Sequence, residues 1–184
     1  MAKTNTFART LHDAGLATWF GGSLMGAIGL NGAAAEVDDE RQRARVANAG
    51  WARWTPVNLA AIAAHILGSL VLTWANRGRI AGQKGVAGAS ALKTVTTAGA
   101  LGATGYARVL GQKVMDAGDV PVEGGTSPSD STPEKVADAQ RQLNMLQWVI
   151  AALTGALVAI NARMGEQQRP QEVLSGMVER SEES

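Results

Sequence analysis

Four long runs of the chain are almost free of charge, and acids and bases crowd into the segments between them. The most continuous run, residues 55–76, reads T-P-V-N-L-A-A-I-A-A-H-I-L-G-S-L-V-L-T-W-A-N and carries no formal charge between Arg53 and Arg77. As a helix rising ~1.5 Å per residue it crosses the ~30 Å hydrocarbon layer of a bilayer. Thr55 suits an N-cap and Pro56 the first helical position, where a missing N–H costs nothing. Ile62, Leu67, Leu70 and Val71 supply apolar area, while Trp51, Trp54 and Trp74 flank the run where indoles favour headgroup level. Without the strict alternation of a barrel strand, the expected element is a transmembrane helix.

Three further runs read as its partners. Residues 14–35 are charge-free, and Gly22-x-x-x-Gly26, continued by Gly29, forms a face on which another helix backbone can approach closely. A secretory signal peptide cleaved after Ala33-Ala34-Ala35 is the alternative for this run. Residues 89–110 carry Lys93 and Arg108 near their ends, where each can snorkel to an interface. Gly99, Gly102 and Gly105 leave that helix thin, and Thr94, Thr96, Thr97 and Thr104 leave it polar. It is expected to be the most enclosed, with its threonines bonded to carbonyls. Residues 142–162 form the last run, with Trp148 near its start and Ala151, Gly155 and Ala159 as its small-residue face. The expectation is an all-α polytopic membrane protein: a four-transmembrane-helix bundle over residues 14–162, a flank at 1–13, and a polar tail at 163–184.

The connectors differ in kind. Residues 36–53 place acids before bases at helical spacing, as in a solvated helix extension; a partner-docking or lipid-headgroup role is the alternative. Residues 77–90 hold Arg77, Arg79 and Lys84 without an acid, and their glycines invite a phosphate-loop reading. Neither G-x-G-x-x-G nor G-x-x-x-x-G-K-[ST] is present, which favours a flexible basic hairpin loop at anionic headgroups. Residues 115–131 are rich in Pro, Gly, Ser and acids, the composition of a mobile loop placed before the last helix. Thr132-Pro133 repeats the cap signature of Thr55-Pro56, and the tail, ending S-E-E-S, reads as a short surface helix or disorder.

Composition sharpens this picture. The length of 184 residues fits one domain, and a mean hydropathy near zero hides strong segregation of charge. A net charge of +1 argues against a nucleic-acid binder, and the absence of cysteine excludes disulfides, thiolate metal sites and cysteine nucleophiles. Abundant Ala, Gly and Arg suggest a GC-rich bacterial genome. Four spans put both termini on one side, with Trp19 and Trp74 at that interface and Trp54, Tyr106 and Trp148 at the other. The acid-free loop lies on the terminal side, which points to a multi-pass protein of the bacterial cell membrane with cytoplasmic termini.

Candidate chemistry rests on two histidines. His65 sits near the middle of its span, a costly place for a polar ring. His12 lies beside Asp13 at the terminal-side interface, about ten residues from the level of His65, which at ~1.5 Å per residue separates them by roughly 15 Å. One haem would not bridge that gap. His65 is therefore expected either to bond a threonine or carbonyl of the third span, or to serve a ligand or proton relay. No carboxylate lies within the charge-free runs, Ser23, Ser69 and Asn31 lack a nucleophilic constellation, and the methionines are scattered. An enzyme is not expected, nor a metal site.

The opening L-H-D-A-G-L-A-T-W-F-G-G at residues 11–22, and Q-R-Q-L-N-M-L-Q at residues 140–147 after the long polar loop, resemble small four-helix bacterial membrane proteins of unknown function. More distantly, they are similar to the copper-resistance protein D membrane domain. That resemblance implies a helical bundle with a haem or copper link. Two functions follow from the sequence: a non-enzymatic structural or accessory subunit, without cofactor, that packs in the lipid bilayer with itself or a larger membrane complex; or a small-molecule, haem or ion binding or transport protein using the third helix and His65.

Overall fold

A computed structural model describes residues 5–182. Lys3 of the flank and the last two residues of the S-E-E-S end lie outside the described residues. The chain is mostly helical. It runs through α1 (Thr6–Met25), a π-helical turn (Gly26–Leu30), α2 (Asn31–Ala35), α3 (Glu40–Ala75), α4 (Arg77–Gly82) and α5 (Val86–Asp116). A small antiparallel hairpin follows, β1 (Val122–Gly124) and β2 (Ser127–Pro128), and then α6 (Glu134–Glu166) and α7 (Pro170–Glu182).

Two boundaries differ from the sequence reading. Helix α1 begins at Thr6 rather than Ala14, and α3 begins at Glu40, so Thr55-Pro56 opens nothing. The Asp39 side chain accepts the Arg41 backbone N–H at 2.9 Å and Glu40 supplies an acid to the first turn, a stronger start than Thr55 offers. Pro56 lies inside the helix, where it deprives the Ala52 carbonyl of its partner, and the Thr55 hydroxyl instead donates back to Trp51 O at 2.9 Å. The charged connector of residues 36–53 is thus largely the first half of α3. At the start of α6, Pro133 takes the cap position and Thr132 turns to Pro121 O at 2.6 Å.

Helices pair as α1 with α3 and α5 with α6, and the pairs join where α1 meets α6. Small residues set the first pairing. Ala8, Gly15 and Gly22 recur every seven residues on α1, and Trp54, Ala61 and Gly68 do so on α3. A methyl group on Gly15 would lie 2.5 Å from Ala61 O, and one on Gly68 would lie 2.5 Å from Ala8 O. Backbones touch there because nothing larger than hydrogen intervenes. The second pairing closes over Leu110, Val114, Val136, Ala139 and Leu146.

Helices α3 and α5, at the two ends of this arrangement, scarcely touch. The third long helix is accordingly not the most enclosed. Leu92 and Val95 face outward, whereas α1 buries Ala8, His12, Gly15, Leu16 and Trp19 between two neighbours. A chain of glycines and threonines offers too little side-chain volume to hold a central position, while α1 carries Leu16 and Trp19 for that purpose. Thr94 and Thr96 donate to the carbonyls of Ser90 and Leu92, but Thr104 Oγ1 is buried without a partner among the described residues.

Two connectors expected to be loose are folded. In residues 115–131, Val122 is fully buried, Gln140 Nε2 donates to Gly124 O at 3.1 Å, and Arg45 pairs with Asp119. The hairpin caps one end of the bundle because its buried backbone groups find partners on α6. At the other end, α4 and the turn after it are clamped by α7: buried Gln83 donates to Gln167 O at 3.1 Å and Glu172 O at 3.3 Å, and Lys84 N donates to Gly176 O at 3.0 Å. Gly85 opens α5 at φ 79°, a left-handed conformation that other residues rarely adopt.

Helices α3 and α6 are long and apolar enough to cross a membrane. Of their most apolar stretches, 17% is buried in α3 and 28% in α6. Leu59, Leu67, Leu70 and Trp74 lie on the outer face of α3, with the Arg77 guanidinium 4.4 Å from the centre of the Trp74 ring.

Candidate functional site: a histidine pair beside a basic chamber

The close approach of α1 and α3 brings His12 and His65 together, with ring centres 4.4 Å apart. The expected gap of roughly 15 Å at ~1.5 Å per residue is overturned. It assumed that the helix begins at Ala14, whereas α1 starts at Thr6 and its His12 lies level with Gly68, one turn from His65. Both rings are buried. His65 bonds not to the third span but to the first, with its Nδ1 3.2 Å from His12 O, where it can only donate. Its Nε2 has no partner among the described residues, nor has Nε1 of fully buried Trp19, whose ring stands edge-on 6.3 Å away. Trp19 is therefore a core residue rather than an interface marker.

His12 connects two charges. Its Nδ1 lies 2.6 Å from Asp13 Oδ1, and its Nε2 lies 2.6 Å from Lys93 Nζ on α5. With Nδ1–H donating to the carboxylate, Nε2 accepts from the ammonium, which fixes one neutral tautomer. The chain Asp13, His12, Lys93 ties α1 to α5 across the open side of the bundle.

Lys93 stands in the wall of a chamber of about 680 Å³ between α3 and α5 at the terminal end. Arg9 and Arg79 line it too, and Asp13 is its sole acid among the described residues. Arg79 donates to Gln83 Oε1, Asn76 Oδ1 and Gln167 O, all neutral, and Arg9 donates to Gln168 Oε1 at 2.7 Å. Ser69 and Asn161 also belong to the lining, though Ser69 Oγ and Asn161 Nδ2 are themselves buried, without partners among the described residues. Cations held by neutral acceptors keep their charge available, which makes this an electropositive cavity with spare donors.

The histidine pair does not fit a haem. Imidazoles on opposite faces of an iron, each at a metal–nitrogen bond of about 2 Å, hold their ring centres well beyond 4.4 Å with a macrocycle between them. Here the helices touch at Gly15 and Gly68 and leave no such space. Copper fits no better: His12 spends both nitrogens on Asp13 and Lys93, which leaves His65 Nε2 alone. Among the described residues no group of three His, Asp or Glu side chains could hold a metal ion.

The glycines singled out for packing divide. Gly22 and Gly26 seat the indoles of Trp54 and Trp51, Gly155 seats the Phe20 ring, and Gly99 lies against Leu153. Gly29 lies nearest to Met25, and a Cβ added at Gly102 or Gly105 would meet nothing within 4 Å, so neither seats a side chain of another helix. Gly15 and Gly68 make the closest contacts, and the seven-residue spacing of Gly15 from Gly22 is the signal that points to them.

No protein-family profile, curated protein or solved structure matches the chain. The reading of the site therefore rests on its own geometry.

Proposed function

We propose that the chain is a non-enzymatic integral membrane protein, a bundle of four spanning helices whose terminal-end chamber binds a small anionic ligand. The apolar outer faces of α3 and α6 support the membrane reading, since lipid is the solvent in which such faces cost nothing. The observation that carries the ligand reading is the chamber itself: Arg9, Arg79 and Lys93 surround a space of about 680 Å³ in which Asp13 is the one acid among the described residues. His12 positions Lys93 at its wall.

The test uses full-length protein purified in a neutral detergent from an alkaline-washed membrane pellet and titrated with inorganic phosphate by calorimetry. Saturable heat, weakened at least tenfold in the Arg79→Gln/Lys93→Gln variant, is the expected result. Protein left in the wash supernatant overturns the membrane reading, and absence of heat overturns the ligand reading. The open face of α5 at Gly102 favours a second function, an accessory subunit packing against its own copy or a larger membrane complex through that face.

A further inference from the structure

Because α3 and α5 scarcely touch, the chamber is not closed toward the middle of the bundle. A second chamber of about 380 Å³ lies farther along the same cleft, between Trp54 and Ile62 of α3 and Gly105 and Val114 of α5, with Leu143 and Ile150 of α6 behind it. Leu101 lines both. The two chambers thus meet at Leu101 as consecutive parts of one slot, basic where it opens among Arg9, Arg79 and Lys93 and mostly apolar beyond Leu101. In that farther part Asn58 and Gln147 add polar wall, and Arg108 is the one charge among the described residues.

From Lys93 to Arg108, both in its walls, the slot follows fifteen residues of α5. At ~1.5 Å per residue that is about 22 Å, enough for an acyl chain that crosses one leaflet, half of a ~30 Å hydrocarbon layer.

Resting on the reading of the chamber as an anion site, we infer that its occupant is an anionic membrane lipid, with its phosphate headgroup among Arg9, Arg79 and Lys93 and an acyl chain in the cleft between α3 and α5. Charge complementarity selects the head. The apolar half of the slot, lying between helices that do not pack on each other, selects the tail, which fills volume that would otherwise be left without contacts. A free phosphate would use only the first half.

Full-length protein in neutral detergent is mixed with phosphatidylglycerol or with phosphatidylcholine of the same chains, and the lipids it retains are counted by native mass spectrometry. Inorganic phosphate is titrated in parallel. Gly105→Leu and Gly111→Leu fill the apolar half of the slot from positions with nothing within 4 Å of the added Cβ and outside the basic chamber, so the fold should tolerate them. Wild-type protein should retain phosphatidylglycerol at least tenfold better than phosphatidylcholine. Both variants should lose that retention at least tenfold while the phosphate heat and the helical circular dichroism stay unchanged. Equal retention of the two lipids, or full retention of phosphatidylglycerol in both variants, overturns the inference. Phosphate binding without any retained phosphatidylglycerol overturns the lipid and leaves the anion chamber standing; if neither binds, the chamber reading falls with it.

Discussion

His12 and His65 lie with ring centres 4.4 Å apart on helices whose backbones meet at Gly15 and Gly68. The pairing of the rings follows from the pairing of the backbones. Gly15→Ala should therefore push α1 from α3, since its methyl would sit 2.5 Å from Ala61 O, which is backbone and cannot rotate away. Overpacking of this kind costs about 1–3 kcal/mol. Thermal unfolding in detergent should show the loss for Gly15→Ala and none for Gly102→Ala, where no neighbour stands within 4 Å.

Haemin offers a direct check on the histidine pair. Added to the purified protein, it should give no saturable Soret shift of the kind that two axial imidazoles produce, because the rings are too close and the helices too tightly joined to admit the macrocycle. A saturable shift lost on His65→Leu would show that α1 and α3 separate in solution.

The two histidines should differ in what their removal costs. His65→Leu removes one donor from His12 O, a carbonyl inside a helix, so its cost is that of a single hydrogen bond, about 0.5–1.5 kcal/mol. His12→Leu strips Lys93 of its acceptor and Asp13 of its donor at once. Bonds to charged groups are worth about 1.5–3 kcal/mol, so His12→Leu should be the more destabilising in the same unfolding assay, and His12→Asn should recover part of the loss. Equal costs would mean that the Asp13, His12, Lys93 chain adds nothing.

How far the sequence reveals this molecule depends on the range of the interaction concerned. Apolar runs announce long helices because lipid-facing length is a property of each helix alone, and the run 55–76 lies inside α3 up to Ala75 as 142–162 lies inside α6. Helix ends are less plain: Pro56 looked like a start, yet neighbouring turns of α3 carry it through. The hairpin at Val122 was hidden by its composition, since what orders it is a bond from Gln140 to Gly124 O, sixteen residues back along the chain. The histidine pair was hidden by one boundary error, which displaced His12 along its helix. The heptad spacing of Ala8, Gly15 and Gly22 against Trp54, Ala61 and Gly68 held the correct register, but only for a reader who already paired those two helices.

The hairpin cap should loosen in acid. Its tie to α3 is the pair of Arg45 and Asp119, and the guanidinium's hydrogen bond holds the Asp119 carboxyl below the usual carboxylate range. A lowered value in the folded state means that the contribution is complete at neutral pH and disappears as pH falls through that lowered value. Both side chains are well exposed, so global stability should scarcely change. Amide exchange over residues 118–126 should quicken at neutral pH in Arg45→Gln, and the variant's rates should match those of the wild type once Asp119 is protonated. A difference persisting in acid would place the tether elsewhere.

Asn31 should prove to be the costliest polar residue at the capped end. It is buried just after the π-helical turn, its Nδ2 donates to Gln147 Oε1 at 2.9 Å, and its Oδ1 accepts from Trp51 Nε1 at 3.0 Å, so one amide joins α2, α3 and α6. Asn31→Leu leaves the indole N–H without an acceptor, and such an orphaned donor costs about 1–3 kcal/mol. Trp51→Phe removes the donor while keeping a ring over Gly26, so its own cost should be smaller. Combined, the two changes leave no orphan at the indole, and the double variant should be more stable than the sum of the single losses predicts, by at least about 0.5 kcal/mol. Strict additivity in a thermal-unfolding cycle would show that the bond between Trp51 and Asn31 contributes nothing and that only the link to Gln147 matters.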